Sequence, residues 1–510
     1  MSDNRADDDV APMTGIWLWV AGLTLAFANF VVVLDTTIAN VSVPHIAGGL
    51  AVSPSQGTWV ITSYSVAEAI TVPLTGWLAQ RFGAVRVFAV AMFAFGVCSA
   101  LCGLAPSLGA LVLCRVLQGL SGGPMIPLSQ TLMRRIFPLR LQPTAFGLWA
   151  MTTVTAPIAG PLLGGAIVDT VGWPWIFYIN VPVAVVMSIA AWRLLRSHET
   201  RTERRPVDVV GIALMVTWIS AMQIMLDKGK DLDWFGSPVI VALALIAAIG
   251  FVAFLIWELT DANPAVDLRI FRQIGFATTA VVNCLAYGTF FAGVVLIPLW
   301  LQTTMGYTAT WAGRVTAFQG LAAVVFSPIV ARLMRVIDPR LLVFFGVMMM
   351  ACVSLWRGNF STDTDFWAIA VPQFAQGICM PFFFIPLTTL ALGGVKPSEV
   401  ASAAGLLNFT RTTGAAFAVS IMTTTWEDTA TAHRTVLAGA LNNPSAVIDQ
   451  LGGVPAVGLR QLDTLVQSQS VMLATDQIFV VCAAILAAVA CLMALVPKPT
   501  AMVPSGARGH

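Results

Sequence analysis

Charge is what this chain has least of. Only 10% of its 510 residues are Asp, Glu, Lys or Arg, against roughly 25% in soluble domains. So few charges cannot cover a water-facing surface, which argues against a soluble enzyme of this size. Histidine is scarce: His45, His198, His433 and His510 lie far apart, so no local metal motif exists. The eight cysteines (Cys98, Cys102, Cys114, Cys284, Cys352, Cys379, Cys482 and Cys491) include no CxxC pair. All sit in apolar runs and read as small, soft hydrophobes. No lysine stands in a GxxxxGK[ST] context, so the chain has no P-loop ATPase of its own. The net charge of +2 gives no argument for nucleic acid. No cleavable signal peptide is read: the start is polar and acidic (Asp3, Asp7, Asp8, Asp9), and the first apolar run is too long.

What fills the chain is apolar: 57% hydrophobic residues and a mean hydropathy of +0.83. A spanning helix needs about 20 such residues. Fourteen runs qualify, near 16–43, 57–79, 86–105, 109–132, 144–168, 173–195, 209–227, 237–259, 276–303, 308–333, 341–357, 366–391, 401–424 and 476–496. With the N-terminus placed inside, 19 of the 27 Lys and Arg fall in inner loops and tails. Five (Lys228, Lys230, Arg357, Arg434, Arg460) fall outside, and three (Arg115, Arg314, Arg411) fall within spans. That bias is what the positive-inside rule demands. It places both termini in the cytoplasm.

The halves echo one another. Arg115-Val-Leu-Gln118-Gly119 resembles Gln373-Phe-Ala-Gln376-Gly377, and the Pro127 and Pro386 steps follow. Pro73 to Arg86 has a loose counterpart in Pro328 to Arg340. The offset is larger than six helices need, so two extra helices stand between the halves. The expected organisation is a tail over 1–15 and a six-helix bundle over 16–195. A linker over 196–208 and two additional helices over 209–259 follow. A second six-helix bundle covers 276–496, with a long polar outer segment at 425–475, and a tail covers 497–510. Repeated bundles with a site at their interface mark transporters; chance likeness between apolar helices is the alternative.

Of the 25 acidic residues, only Asp35 and Glu68 lie well inside a span. Each costs about 2.5–3.5 kcal/mol at mid-bilayer, a cost met mainly at ion pathways and proton relays. Counting along the helices at 1.5 Å per residue, Asp35 is about 12 Å deep, Glu68 about 17 Å and Arg115 about 9 Å. These depths suit a cluster in which Arg115 partners one carboxyl and Asp35, with Glu68 beside it, carries protons. A static Asp–Arg pair that only ties helices together is the alternative. Arg411, within Asn408-Phe-Thr-Arg411, is read as part of a polar network, and Arg314 as a snorkelling residue. In Pro157-Ile-Ala-Gly160-Pro161-Leu-Leu-Gly164-Gly165, Gly160 and Gly164 share a face that permits close helix approach, and two prolines favour a bend. That segment reads as a rocking contact between bundles, or as ordinary small-residue packing. The loop Gly76-Trp-Leu-Ala-Gln-Arg81-Phe-Gly83-Ala-Val-Arg86 reads as an inner gate lock. Trp59, Tyr64, Asn283, Tyr287, Phe290, Gln373, Gln376, Phe383 and Asn408 are candidates for lining a broad apolar cavity, though for each, packing is equally open.

Taken together, several segments resemble the major facilitator superfamily, and its fourteen-span drug:proton antiporter branch, the EmrB/QacA family. They are Leu34-Asp35-Thr-Thr-Ile-Ala-Asn40-Val-Ser-Val-Pro44, the Gly76–Arg86 loop, Arg115-xx-Gln118-Gly119, the Gly160-Pro161 segment, Trp173–Pro182 and Asn408-xx-Arg411. Loop stretches at 56–63, 199–205, 226–235, 257–261 and 306–313 extend the likeness over nearly the whole chain. The resemblance implies an all-helical membrane fold of two six-helix bundles plus two helices, with alternating access. It implies proton-driven export of hydrophobic toxic compounds across the inner membrane. It implies a periplasmic adaptor of the EmrA type and a TolC-like outer-membrane channel, with no cofactor and no metal. It maps the family's acidic residue onto Asp35, its arginine onto Arg115 and its antiporter motif onto Pro157–Gly165. The chain departs at Gln80, where the family usually has Asp, and Glu68, Arg314 and Gln319 are also unusual. Export of a single endogenous compound, such as a fatty acid, siderophore or antibiotic, is the competing transport reading. A transporter-like sensor without flux is the remote one.

Overall fold

Some breaks between helices coincide with proline and glycine, while Pro44, Pro298, Pro328, Pro372, Pro381 and Pro386 lie inside helices. The computed structural model describes residues 12–203, 206–440, 455–493 and 496. Its helices are α1 (Ile16–Gly49), α2 (Pro54–Gly57), α3 (Trp59–Thr71), α4 (Thr75–Phe82), α5 (Ala84–Gly103), α6 (Leu108–Gly122), α7 (Met125–Ile136), α8 (Gln142–Thr170) and α9 (Trp175–Tyr178). They continue as α10 (Asn180–Leu195), α11 (Val209–Lys228), α12 (Pro238–Thr260), α13 (Ile274–Thr303), α14 (Ala309–Leu333), α15 (Pro339–Arg357), α16 (Phe366–Gly393), α17 (Val400–Ala440) and α18 (Pro455–Leu492). No strand occurs among the described residues. Pro73 falls in the break between α3 and α4, and Gly123-Pro124 separates α6 from α7. Proline lacks the amide that would continue the ladder.

Five of the helix starts carry side-chain caps, which satisfy otherwise orphaned amides. Asp365 accepts from Ala368 N at 2.8 Å and opens α16. Asp208 accepts from Gly211 N at 2.8 Å and opens α11, and it takes a further bond from Trp257 Nε1 at 2.9 Å. The second bond ties the start of α11 to the end of α12, closing these two helices into a hairpin. The hairpin stands between the halves: Ser420 of α17 donates to Leu226 O at 2.9 Å, and Lys228 donates to Thr58 at 2.7 Å.

Eleven helices among the described residues are long and apolar enough to cross a membrane. The bent Leu139–Thr170 segment makes twelve. The fourteen expected from the sequence are not reached by that measure. The two other expected spans, 57–79 and 401–424, lie on α3–α4 and on α17. The first is broken near Pro73; the second carries Asn408, Arg411 and several threonines.

Two expectations are corrected. The outer segment 425–475 is not a loop over most of its length. Helix α17 runs on to Ala440 and α18 starts at Pro455; Asn442 to Pro444 and Gly452-Gly453 lie outside the described residues. At 41 residues, α17 is about 60 Å long at 1.5 Å per residue, against a hydrocarbon core of about 30 Å. The extension is zipped by Trp426 Nε1 on Thr475 at 2.9 Å and by Arg434 with Asp463 at 2.7 Å. Its mixed polar sequence concealed two helices. Arg357, counted as an outer-loop charge, is the last residue of α15 and is only 4% exposed.

Candidate functional site

The centre of the N-terminal half is a buried polar cluster assembled from α1, α6 and α10. Asp35 and Arg115 are essentially inaccessible, and Arg115 Nη1 donates to Asp35 Oδ2 at 2.6 Å. Gln118 Nε2 and Asn180 Nδ2 donate to Asp35 Oδ1 at 3.1 and 2.7 Å. Arg115 also donates to Gln118 Oε1 at 2.8 Å and, through Nε, to Val60 O at 3.1 Å. Its guanidinium lies 4.1 Å from the centre of the Tyr64 ring. The expected partnership of Arg115 with a carboxyl is therefore with Asp35. Asp35 thus accepts from three donors on two helices. Sequence reading passed over Gln118 and Asn180 as ligands of Asp35; their place in quoted family motifs was the available signal.

Glu68 is a different kind of carboxyl. It makes no ion pair among the described residues, and it lines an open chamber. Arg115, Arg411 and Asp35 are the charges that act on it. Arg411 is 5% exposed, with its Nε unpartnered among the described residues. It stacks 5.1 Å from Tyr287 and 5.6 Å from Trp149, so it bridges the halves. Asn408, one turn earlier, crosses the same interface by donating to Gln130 Oε1 at 2.6 Å. Arg314 lies over Trp311 at 4.7 Å.

Two chambers occupy the interface, both away from the arginine-rich end that carries Arg81, Arg86, Arg134 and Arg135. The first, about 370 Å³, is walled by Asn40 and Pro44, by Pro157 and Pro161, and by aromatic and amide residues of α13, α14 and α16. None of its lining residues is charged. The second, about 510 Å³, lies between α3, α11, α13 and α17 and includes Glu68 and Asp227. At the arginine-rich end the halves touch. Gly76 packs on Ser402, and Gln80 Nε2 donates to Ser398 O at 3.4 Å. Arg134 donates to Val395 O at 3.0 Å.

Of the nine expected cavity residues, Tyr287, Phe290 and Gln373 line the first chamber. The others do not line either chamber. Trp59 is 38% exposed, Tyr64 is packed under Arg115, and Asn283 donates to Leu407 O at 3.2 Å. Gln376, Phe383 and Asn408 are buried in helix packing. Depth along a helix was readable in the sequence, but the direction each side chain faces was not.

In the antiporter segment the roles divide. Gly160 and Gly164 abut Thr37 and Ile38 of α1, whereas Gly165 faces open space. The glycine seam is thus internal to one half, not the contact between bundles. Across the interface, Leu162 of the same segment packs at Gly313 of α14, and Pro157 and Pro161 line the first chamber. The segments Leu139–Pro157 and Ala159–Thr170 meet at 42°. In the expected gate loop, Gly83 has φ +93°, a conformation that suits glycine. Glu199 accepts from Val85 N at 2.8 Å and Arg86 N at 3.0 Å, capping α5, with the Arg86 side chain at 3.9 Å. Arg81 stacks 5.4 Å from Trp77. Glu199 holds the helix end, and Gln80 reaches the other half instead.

Comparison with known proteins bears on the family and the fold. The model of the Major Facilitator Superfamily matches residues 25–419. The chain is 44% identical over 476 residues to the Multidrug export protein EmrB of Escherichia coli strain K12, covering 92% of this chain and 93% of that one. It is 41% identical to the Fatty acid resistance protein FarB of Neisseria gonorrhoeae, covering 92% and 94%. Among solved structures, the proton:xylose symporter XylE aligns with a TM-score of 0.56 at 14% identity, over 94% of this chain and 96% of that one.

Proposed function

This chain belongs to the major facilitator superfamily as an EmrB-like multidrug transporter, and from that premise we propose that it is a proton-driven antiporter exporting hydrophobic toxic compounds by alternating access. It sits in the bacterial inner membrane with both termini in the cytoplasm. The observation that carries the reading is the first chamber. It lies between the halves, its walls are aromatic and amide residues, and no charge lines it. Such a space admits varied apolar ligands and orients them with few polar anchors.

Proton coupling needs a group that gains and loses a proton as access alternates. Glu68, unpaired and facing a chamber, takes the proton in the arrangement seen here. Asp35 takes its turn only when rocking draws Arg115 away, because three donors hold it now. One charge moving down 100 mV supplies about 2.3 kcal/mol, enough for a gradient of roughly 50-fold. The contact of the halves at the arginine-rich end supports an outward-open state. The helical extension of α17 and α18 is the docking surface for a periplasmic adaptor of the EmrA type, which connects to a TolC-like outer-membrane channel.

The test is Nile red efflux from proteoliposomes, followed together with internal pH. Wild-type chain should move protons inward as the dye leaves. Asp35→Asn should insert normally yet abolish the coupled movement, and Glu68→Gln should do the same. Full coupled activity in both variants would refute the proton mechanism.

A further inference from the structure

We propose that the second chamber is a proton path separate from the substrate chamber, and that Asp227 on the α11–α12 hairpin is a relay residue along it. This rests on the reading of the chain as a proton-driven exporter.

The contrast between the chambers is the starting point. The second is lined by hydroxyls and charges. Thr58, Thr62, Ser65 and Glu68 line it from α3, at spacings of four, three and three residues. Residues so spaced lie on one helix face, so a column of hydroxyls leads from the start of α3 to the Glu68 carboxyl. Thr412, Thr413, Ser420 and Thr423 of α17 form the opposite wall. The hairpin closes the third side with Gln223 and Asp227. At about 510 Å³ the chamber has room for a chain of waters, each needing about 30 Å³ and two to four polar partners. Asn40, Tyr287 and Phe291 border both chambers, so these three side chains form the partition. The second chamber offers carboxylates that can hold a proton, and the first offers none.

Asp227 stands where such a path needs a carboxyl. It is exposed to the chamber, accepts from Gln223 Nε2 at 3.3 Å, and has the Thr62 hydroxyl as a second partner. Lys228, Lys230 and Asp231 line the same chamber beside it. Lys228 is held by Thr58 at 2.7 Å and Asp231 at 3.3 Å, and Lys230 pairs with Glu427 of α17. These bonds fix the mouth and leave Asp227 facing inward. At the far end, Glu68 is faced by Arg115, Arg411 and Asp35, with Tyr64 and Tyr287 nearby. The Asp227 carboxylate takes a proton from hydronium at the mouth, forming its O–H bond and leaving a water molecule behind. It passes that proton through chamber water to the Glu68 carboxylate and is ionised again. One proton enters and one is carried, with no other reactant needed. On this account the hairpin inserted between the halves is part of the coupling machinery.

The experiment uses full-length chain in proteoliposomes, with Nile red as the probe, a pH dye inside, and outer pH varied. Asp227→Asn should slow dye-driven proton movement about tenfold, as expected for losing one member of a relay. It should flatten the dependence of rate on outer pH, leave Nile red affinity unchanged, and be reversed by Asp227→Glu. Wild-type flux in Asp227→Asn would overturn the proposal. So would joint loss of flux and dye binding that Asp227→Glu does not restore. If wild-type chain moves no protons with the dye, it is the antiporter reading that fails.

Discussion

The two halves place a buried arginine in related positions but surround it differently. In the N-terminal half, Arg115 of α6 pairs with a carboxylate on α1. In the C-terminal half, the residue equivalent to Arg115 by the repeat is Gln373, which accepts from Arg357 of α15. Arg357 is 4% exposed and makes no ion pair among the described residues, and its Nε is unpartnered there. The scaffold beneath is shared: Gly119 brings α6 against Tyr64 O of α3, and Gly377 brings α16 against Gln319 O of α14. The repeat therefore preserves helix packing while moving the arginine to a neighbouring helix and deleting the acid. The N-terminal half buries a carboxylate–arginine pair. A half with an arginine and an amide carries a fixed charge. This asymmetry sets the buried carboxylate–arginine pair on one side of the interface, while most of the wall of the first chamber comes from the other.

The largest effect should come from removing each arginine in turn. Arg115→Met leaves Asp35 buried without its counter-charge, which costs about 3–5 kcal/mol. Arg357→Met strands only the Gln373 carbonyl, for about 1–3 kcal/mol at most, and removal of a poorly partnered charge offsets part of that. Thermal unfolding in detergent should rank the two clearly, and adding Asp35→Asn to Arg115→Met should recover most of the loss. Equal destabilisation by the two single variants would dissolve the distinction between the halves.

A smaller effect should follow from giving the second half the acid it lacks. Gln373→Glu sets a carboxylate against Arg357, so the melting temperature should hold or rise. The same change puts charge into the wall of the first chamber, and Nile red affinity should fall about tenfold, the equivalent of 1.4 kcal/mol. Unchanged dye affinity would mean that the first chamber is not where the dye sits.

Much of this asymmetry was open to a reader of the sequence, and part was not. Apolar runs disclosed the all-helical membrane fold because lipid demands it of every span. Depth counting along helices brought Asp35 and Arg115 together, since helical rise is nearly constant. What one dimension hides is rotation about the helix axis. Asn283, Phe383 and Gln376 were at cavity depth yet face their neighbours, and Gly160 faces α1 rather than the other half. Length thresholds also mislead near helix ends. Arg357 follows an apolar run and precedes a turn, so it reads as a loop charge, although the structure buries it. The polar segment after 424 reads as a loop because its residues beyond 430 are of mixed polarity and mostly exposed, although the backbone there stays helical.

That extension supplies the smallest expected effect and the sharpest separation of roles, because it lies outside both chambers. The Arg434–Asp463 pair is half exposed on both sides, and exposed pairs contribute roughly 0.2–1 kcal/mol. Arg434→Ala should therefore barely move the melting temperature and should leave proton-coupled Nile red transport in liposomes intact, since no adaptor is present there. In cells the comparison changes. If the extension docks an adaptor, an Arg434→Asp variant, which sets like charges across the hairpin and splays it, should lower resistance to the exported compound while membrane levels of the protein stay constant. Undiminished resistance at equal expression would place the adaptor contact elsewhere and leave the extension as a self-contained helical hairpin.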